Sequence, residues 1–516
     1  MAKKYGPTWQ PKPQDYKRIF EEQNPWHRTG EVPNEWAKQV ERPLAKLMPQ
    51  RLRANEPRRF QLILGPRRIG KTTSMYQTIR DLLAGGIPPR QVWSLRLDHP
   101  LLMQIPLGTL VQIVLDTIDN ETGNRVLGLE RPLYLFLDEL TYSRDWALWL
   151  KTFYDETWPV RVVGSSSSSA ALRGPSYESG VGRWEEQYLA PYLFSEYLDL
   201  VKKPVSIPVK ETLFDTISAC IKAKINVDAL SNFRRRFLLT GGFPELLMSG
   251  QPDAADDASL LLQSQRILRN DAVERAIYKD IPQAFGVDNP MILERMLYTL
   301  AGQVTGILSP NTICQSIGGL SQPTFVRYLN YLERAFLVFT LPNYSGSEAS
   351  IQKRGRKLYF VDAAVRNAAL QRGLAPLSDT EEMGLLIENM AAGHLQALSE
   401  QSQVRVYYWR DKNDEIDLVY DHPEFPIAFE MGSSGSHHRK GIHAFEARFK
   451  RFNGRCFLVA PNSFATLPSD NWDGIGTLPL DLFLLAVGAQ AEYELAKRMV
   501  PDTPVSEVTN FGEPNQ

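Results

Sequence analysis

The chain has 516 residues, 43% of them hydrophobic and 23% charged, with a formal net charge of -1. That length exceeds what one compact core accommodates, so several domains are expected, and the near-neutral balance excludes a global electrostatic pull toward nucleic acid. Cys220, Cys314 and Cys456 lie far apart, which excludes a disulfide framework or zinc ribbon, and no run of roughly 18 apolar residues or apolar leader core occurs, so a cytoplasmic protein outside the membrane is expected.

Residues 1–57 hold scattered prolines and tryptophans without a sustained period, and thirteen Lys/Arg stand against seven Asp/Glu over residues 1–60. They are expected to form a basic, irregular arm with one short helix near "EWAKQVERPLAKLM". From residue 58 the pattern alternates between strand and helix. "RRFQLILG", "QVWSLRLD", "PLYLFLDEL" and "VRVVGSS" are strands, while "GKTTSMYQTIRDLLAGG" and "SRDWALWLKTFYDE" are helices. This alternation predicts a parallel sheet flanked by helices over residues 58–200.

Residues 65–72, "GPRRIGKT", match G-x-x-x-x-G-K-[ST] between a strand and a helix. Gly65, Arg67, Arg68, Ile69 and Gly70 present backbone N–H groups to phosphates, and Pro66, which has none, shapes the turn between them. Lys71 reaches the β/γ oxygens, Thr72 offers its hydroxyl to Mg2+, and Thr73 extends the first turn. ATP and Mg2+ are the expected cofactors. "LYLFLDEL" places Asp138 and Glu139 at the carboxyl end of a strand, Asp138 to hold magnesium and Glu139 to polarise the attacking water. Ser165 or Ser166, just past the next strand, is positioned to contact the γ-phosphate or the lytic water, although a five-serine run also reads as a linker. Arg183, on a glycine-flanked turn, is a candidate for stabilising phosphoryl charge in its own subunit or a neighbour.

Helices dominate residues 201–288, expected as a helical lid. "SPNTICQSIGGLSQPTFVRYLNYLERAFLV" predicts a helix, a glycine turn and a second helix from Ser321 with Pro323 in its first turn. Phe325, Leu329 and Leu332 share a face, with Val326 beside it and Arg327 and Arg334 outward. DNA or protein contact by this unit stays open. "QKRGRK" (352–357) forms a second basic cluster, read as solvated surface. In "EIDLVYDHPEFPIAFEMGSS" (415–434) two acids, Asp417 and Glu430, fall on neighbouring strands, the layout of a metal-dependent nuclease. A lysine is missing two residues beyond Glu430, where Gly432 stands. Arg439 and Lys440 are candidates to replace it, and His437 and His438 read as a solvated loop.

Taken in order, "GPRRIGKTT", "FLDEL", "GSSSSSAAL", "GRWEEQYLAPYLFSEYL", "GGFPELL", "TFVRYLNYLERAFLV", "RKLYFVDAAVRNAAL", "GLLIENMAAGHL" and "YYWRDKNDEIDLV" resemble the prokaryotic AAA-type P-loop ATPases that carry a C-terminal domain related to restriction endonucleases. The resemblance implies an α/β multidomain protein. It would comprise a P-loop ATPase core, a helical lid, a winged-helix-like domain over 289–345, a degenerate endonuclease-like domain over 346–478, and a C-terminal helix with a polar tail over 479–516. It assigns Glu388 in "GLLIENM" as a helix-borne acid beside Asp417 and Glu430. The expected function is an ATP-hydrolysing switch, a homo-oligomer with a DNA or protein partner, its nuclease-like domain silent. The alternatives are an ATP-gated nuclease using Glu388, Asp417 and Glu430, and a non-hydrolysing DNA-binding or scaffold protein.

Overall fold

The computed structural model describes residues 13–54, 58–103, 105–122, 132–143, 145–167, 182–247, 258–347, 351, 355–432 and 439–501. The chain divides into two compact units, Met1–Leu64 with Lys71–Gln187, and Gly65–Gly70 with Tyr188–Gln516. The phosphate loop, residues 65–70, groups with the second unit.

In the first unit, β1 (Phe60–Leu64), β2 (Val92–Arg96), β3 (Leu133–Asp138), β4 (Val160–Ser166) and β5 (Trp184–Tyr188) form one sheet in the order β2-β3-β4-β1-β5. The β1–β4, β3–β4 and β2–β3 pairs are parallel. β1 and β3 are buried at every position, as expected for strands covered on both faces. Because β1 lies beside β4, the loop leaving β1 and the carboxyl ends of β3 and β4 open toward the same end of the sheet, where ligands gather in open α/β folds.

The N-terminal segment differs from the irregular arm expected for it. Among the described residues it forms the helices Pro13–Gln23, Trp26–Thr29, Asn34–Ala37 and Pro43–Arg53; residues 1–12 lie outside them. Its polar side chains complete the edge strand β2. Asn24 Nδ2 donates to the Ser94 carbonyl at 3.0 Å, and the Ser94 N–H donates to Asn24 Oδ1 at 2.6 Å. Trp26 Nε1 donates to the Val92 carbonyl at 2.8 Å, and the Arg96 N–H donates to Gln23 Oε1 at 2.9 Å. A helical segment thus does what a sixth strand would do and covers an otherwise open edge. Periodicity did not reveal it because the helices are short and their contacts run through an amide and an indole.

The second unit is helical through Phe194–Leu200, Leu213–Lys222, Ser231–Thr240 and Ala258–Leu268, followed by π-helical turns Arg269–Glu274 and Ala276–Asp280. Three helices, Pro290–Ala301, Pro310–Ile317 and Gln322–Arg334, lead to an antiparallel ribbon of β6 (Val338–Pro342) and β7 (Arg356–Phe360). The third helix buries Phe325, Tyr328 and Leu332 and leaves Val326 exposed. The boundary expected at 345/346 falls inside this ribbon, which ladder hydrogen bonds hold as one piece.

A second sheet, β12-β11-β10-β9-β8, is built from β8 (Val406–Asp411), β9 (Asp414–Tyr420), β10 (Ile427–Met431), β11 (Cys456–Ala460) and β12 (Gly476–Pro479). β10 runs parallel to β11 and antiparallel to β9. The helices Thr380–Ser402 and Leu480–Met499 pack together in this unit. Among the described residues no helix is long and apolar enough to cross a membrane.

Two expected outcomes follow from this packing. Asn24→Ala would leave edge-strand groups of β2 without partners, costing about 1–3 kcal/mol; a lower urea midpoint and greater aggregation on warming would register it. In the second unit, His394 Nδ1 lies 2.9 Å from the Met390 carbonyl, and its Nε2 accepts from the Phe194 N–H at 2.9 Å. Burial lowers this ring to about 4, against the opposing pull of Met390. Protonation would set a second ring N–H against the Phe194 donor, so folding favours the neutral ring. Stability carried by His394 is therefore present above pH 6.5 and is lost as pH falls toward 4. Denaturant titrations across that window should give a shallower slope for His394→Gln than for the parent chain.

Candidate functional site

β1 delivers the chain to Gly65 and the helix Lys71–Ala84 carries it away. The loop's backbone needs its glycines. A Cβ at Gly65 would lie 2.1 Å from the Leu189 carbonyl oxygen, and Gly70 has φ +91. Arg68 also adopts a left-handed conformation, φ 64. The side chains of the two loop arginines turn toward carboxylates. Arg67 makes a bidentate pair with Asp280, Nε–Oδ2 2.6 Å and Nη2–Oδ1 2.7 Å. Arg68 meets Glu245 and Asp271, each at 2.7 Å. What these residues present to a phosphate is therefore backbone N–H, while their guanidinium groups pin the loop's outer face. Ile69 is fully buried and Lys71 nearly so.

In the first unit, Thr72, Asp138 and Ser165 form a relay. Thr72 Oγ1 donates to Asp138 Oδ2 at 2.9 Å. Ser165 Oγ donates to Asp138 Oδ1 and accepts from the Glu139 N–H at 3.0 Å. Asp138 ends β3 and Ser165 lies near the end of β4, so the parallel register β3–β4 is what brings them together. Of the two serines, Ser165 is the one bonded to Asp138; Ser166 Oγ lies 3.3 Å from Thr141 Oγ1. Glu139 sits at φ 53, ψ 50, a conformation that non-glycine residues hold only where surrounding contacts impose it. Its Oε2 accepts from Ser167 Oγ at 3.3 Å. Ser167 was not singled out in the sequence, although it lies in the same serine run; the rest of that run, residues 168–169, is outside the described residues. Tyr76, one turn into the helix after the loop, is raised to about 12 by burial and then by Asp138.

Arg183 lies on a turn, as expected. It immediately precedes β5, and its carbonyl accepts from the N–H of Phe60, the first residue of β1. Its guanidinium pairs with Asp155, Nε–Oδ1 2.7 Å and Nη2–Oδ2 3.0 Å. The loop leaves from the far end of β1, so a role for Arg183 at the phosphates of its own subunit does not fit. The mutual hydrogen bonds raise Arg183 and lower Asp155.

In the second unit, Glu388 on the helix Thr380–Ser402 and Asp417 on β9 both lie against one lysine. Lys357, from β7, lies with Nζ 2.7 Å from Glu388 Oε1, 2.8 Å from Glu415 Oε1 and 2.8 Å from Asp417 Oδ1. Glu415 and Asp417 are two apart on one strand and share a face. Tyr359, two residues beyond Lys357 on β7, donates to Glu388 Oε1 at 2.8 Å. Asp417 Oδ2 accepts from the Met431 N–H at 2.9 Å. Glu430, on β10, is buried. Burial, then Asp417, pushes Glu388 up to about 7. Burial also opposes the charge on Lys357, but Asp417, Glu388 and Glu415 outweigh it and hold the ammonium well above the usual lysine range.

Neither replacement expected for the missing lysine reaches this cluster. Arg439 pairs with Asp473 at 2.5 Å, and the exposed Lys440 lies 3.7 Å from Asp414. The Gly432 N–H donates to the Val459 carbonyl at 2.7 Å. His437 and His438, and residues 352–354 of the basic cluster, lie outside the described residues. Among the described residues no group of three or more His, Cys, Asp or Glu is arranged to hold a metal ion. Lys357, read from the sequence as part of a solvated basic cluster, is instead buried; its role and that of Glu415 were missed because the search for a lysine followed the strand order around Glu430, whereas the cation arrives from a strand 60 residues before Asp417.

Residues 57–198 match a family model described as an AAA domain, residues 232–375 a domain of unknown function (DUF8612), and residues 383–475 a domain of unknown function (DUF4143). The first stretch is an AAA-type P-loop ATPase domain and the last a DUF4143 domain. The chain is similar to two uncharacterized proteins of Methanocaldococcus jannaschii. MJ1637 is 24% identical over 393 residues (73% of this chain, 76% of the relative), and MJ1544 is 23% identical over 407 residues (76% and 79%). An uncharacterized Haemophilus influenzae protein is 23% identical over 378 residues (72% and 83%). Solved structures that match include the Walker-type ATPase PABY2304 of Pyrococcus abyssi, at 14% identity and TM-score 0.38, covering 66% of this chain and 97% of that one. The Aeropyrum pernix ORC2 protein matches at 12% identity and TM-score 0.35, covering 72% and 98%.

Ser165→Ala would remove both the donor to Asp138 and the acceptor for the Glu139 N–H. By analogy with the loss of a supporting hydrogen bond around a bound ion, ATP turnover is expected to fall about 10–100-fold, with the melting temperature little changed; a coupled ADP-release assay beside a melting curve checks both.

Proposed function

On the premise of an AAA domain over residues 57–198, we propose that this protein is a Mg2+-dependent ATP hydrolase whose nucleotide cycle works as a switch. The Thr72–Asp138–Ser165 relay carries this reading. A hydroxyl and a carboxylate oxygen 2.9 Å apart form the hard-oxygen set that suits Mg2+, so Thr72 and Asp138 would hold the ion. When bound, Mg2+ neutralises charge gathering on the β- and γ-phosphates.

The remaining roles belong to the chain itself. Backbone N–H groups of Gly65 and of residues 67–70 cradle the phosphates and Lys71 supplies a compact positive charge. Glu139, braced by the Ser165 hydroxyl on its N–H and the Ser167 hydroxyl on its carboxylate, orients water for attack. Ser165 reports the state of Asp138 to the end of β4, which gives the switch its first moving part. Arg183, placed away from its own loop, serves a neighbouring subunit's nucleotide in a homo-oligomer.

The order of helix Thr380–Ser402, β8, β9, β10, helix Lys440–Arg448 and β11 supports a restriction-endonuclease-like fold; with Gly432 where a lysine is needed, we infer that it is catalytically silent and binds a partner or nucleic acid. The three helices and the β6–β7 ribbon support a winged-helix-like unit beside it.

Lys71→Ala and Glu139→Gln separate binding from chemistry. Lys71→Ala should lose both ATP affinity and turnover. Glu139→Gln should keep affinity while turnover drops about 10²–10⁴-fold, the range for loss of a general base. Fluorescent-nucleotide titration and steady-state phosphate release measure the two. Turnover indifferent to both substitutions, or to magnesium, would overturn the assignment.

A further inference from the structure

We propose that the Lys357 ammonium is a tethered cation that takes the place of the divalent metal in the endonuclease-like unit, so that this unit holds its acid cluster together without a metal. The inference rests on the endonuclease-like reading above and explains why that unit would be silent.

Three features lead to it. First, lysine has three N–H donors, and Lys357 directs Nζ at three carboxylate oxygens, on Glu388, Glu415 and Asp417, each within 2.7–2.8 Å. Further partners complete the cluster: Tyr359 donates to Glu388, the Met431 N–H donates to the other oxygen of Asp417, and Arg410 lies 3.7 Å from the other oxygen of Glu415. Second, Lys357 is not a surface side chain folded inward. It is 2% exposed, and its residue is bridged to Leu341 on one side and Ile307 on the other. The stem therefore starts from a backbone fixed on both sides, and the ammonium is held by its three carboxylate partners. Third, a divalent ion does not fit beside it. Mg2+ draws oxygen ligands to about 2.0–2.1 Å in an octahedron, so an ion sharing these oxygens would sit within a few ångströms of a buried positive charge, and like charges at that range repel strongly where water is excluded.

The conventional lysine position, two residues past Glu430, is glycine. Here the positive charge comes from a different strand and stands at the centre of the acids rather than at their rim. That placement offsets part of the carboxylates' charge and occupies one oxygen of each, instead of leaving them to bind metal and activate water. It also ties the β6–β7 ribbon to β9 and to the helix Thr380–Ser402 through charge, so the cluster works as a joint.

The test uses full-length, nucleotide-free protein titrated with Mn2+, free ion being followed by electron paramagnetic resonance. The parent chain and Asp417→Asn should bind the same number of equivalents. Lys357→Ala should gain one further equivalent, with a rise in melting temperature on adding Mn2+ that the parent lacks, and the gain should vanish in Lys357→Ala combined with Asp417→Asn. Parent protein that binds Mn2+ and loses it in Glu388→Gln or Asp417→Asn would overturn the proposal, as would a folded Lys357→Ala without the extra equivalent. If Lys357→Ala does not fold, Lys357→Met keeps the stem's packing, and the parent against Asp417→Asn decides alone. DNA nicking measured in parallel keeps the two ideas apart. Mn2+ lost on Asp417→Asn without nicking removes the tethered cation alone, whereas Mg2+-dependent nicking that Asp417→Asn abolishes removes the silent-domain reading itself.

Discussion

The first unit depends on where one carboxylate is held. Asp138 closes β3, and its two oxygens are occupied by hydroxyls from two other elements, Thr72 at the head of the helix after the phosphate loop and Ser165 near the end of β4. Each of these elements is anchored by buried apolar strands, so the carboxylate can be oriented without being freely hydrated. The same arrangement pulls Glu139 into a left-handed backbone conformation, stabilised by the hydrogen bond from its N–H to Ser165. Strain of this kind persists only when neighbours over-determine it, and here they do.

The second unit repeats the theme with opposite polarity. Carboxylates from a helix and from β9 approach closely enough that, in a water-poor setting, some positive charge must accompany them. Lys357 provides it. A buried ammonium with three carboxylate partners is held in place by the cost of separating any of them, which makes the cluster a strong constraint on how β7 meets β9. Arg67 with Asp280, and Arg68 with Glu245 and Asp271, show the same use of charge around the phosphate loop. Residues chosen for loop geometry alone carry a second task in their side chains.

Much of this was legible before any fold was known. Apolar runs in "FQLIL" and "LYLFLD" announced buried parallel strands, and the glycine spacing of "GPRRIGKT" located the phosphate loop, because both signals are local and periodic. Thr72, Asp138 and Ser165 could each be singled out, since each stands at a strand end or helix start, but the hydrogen bonds of Asp138 to the two hydroxyls were not legible. The covering of β2 by Asn24 and Trp26 was not, because an edge is defined by what fails to pair with it. The end of the sheet at which Arg183 stands was not legible either, for a related reason. A glycine-flanked arginine looks the same at either end of a sheet, and only the β1–β5 neighbourhood shows which end it occupies.

The sequence by itself determined the elements and the chemistry at their tips: where strands are buried, where a phosphate can be cradled, and which acids stand at strand ends. Tertiary structure alone decided which charges meet. Lys357 and Asp417 are 60 positions apart, and no propensity or spacing links them. Coulomb interaction and desolvation depend on distance through space, whereas motif and periodicity record only distance along the chain. For "EIDLVYDHPEFPIAFEMG" that difference supplied the cation that its own neighbourhood lacks.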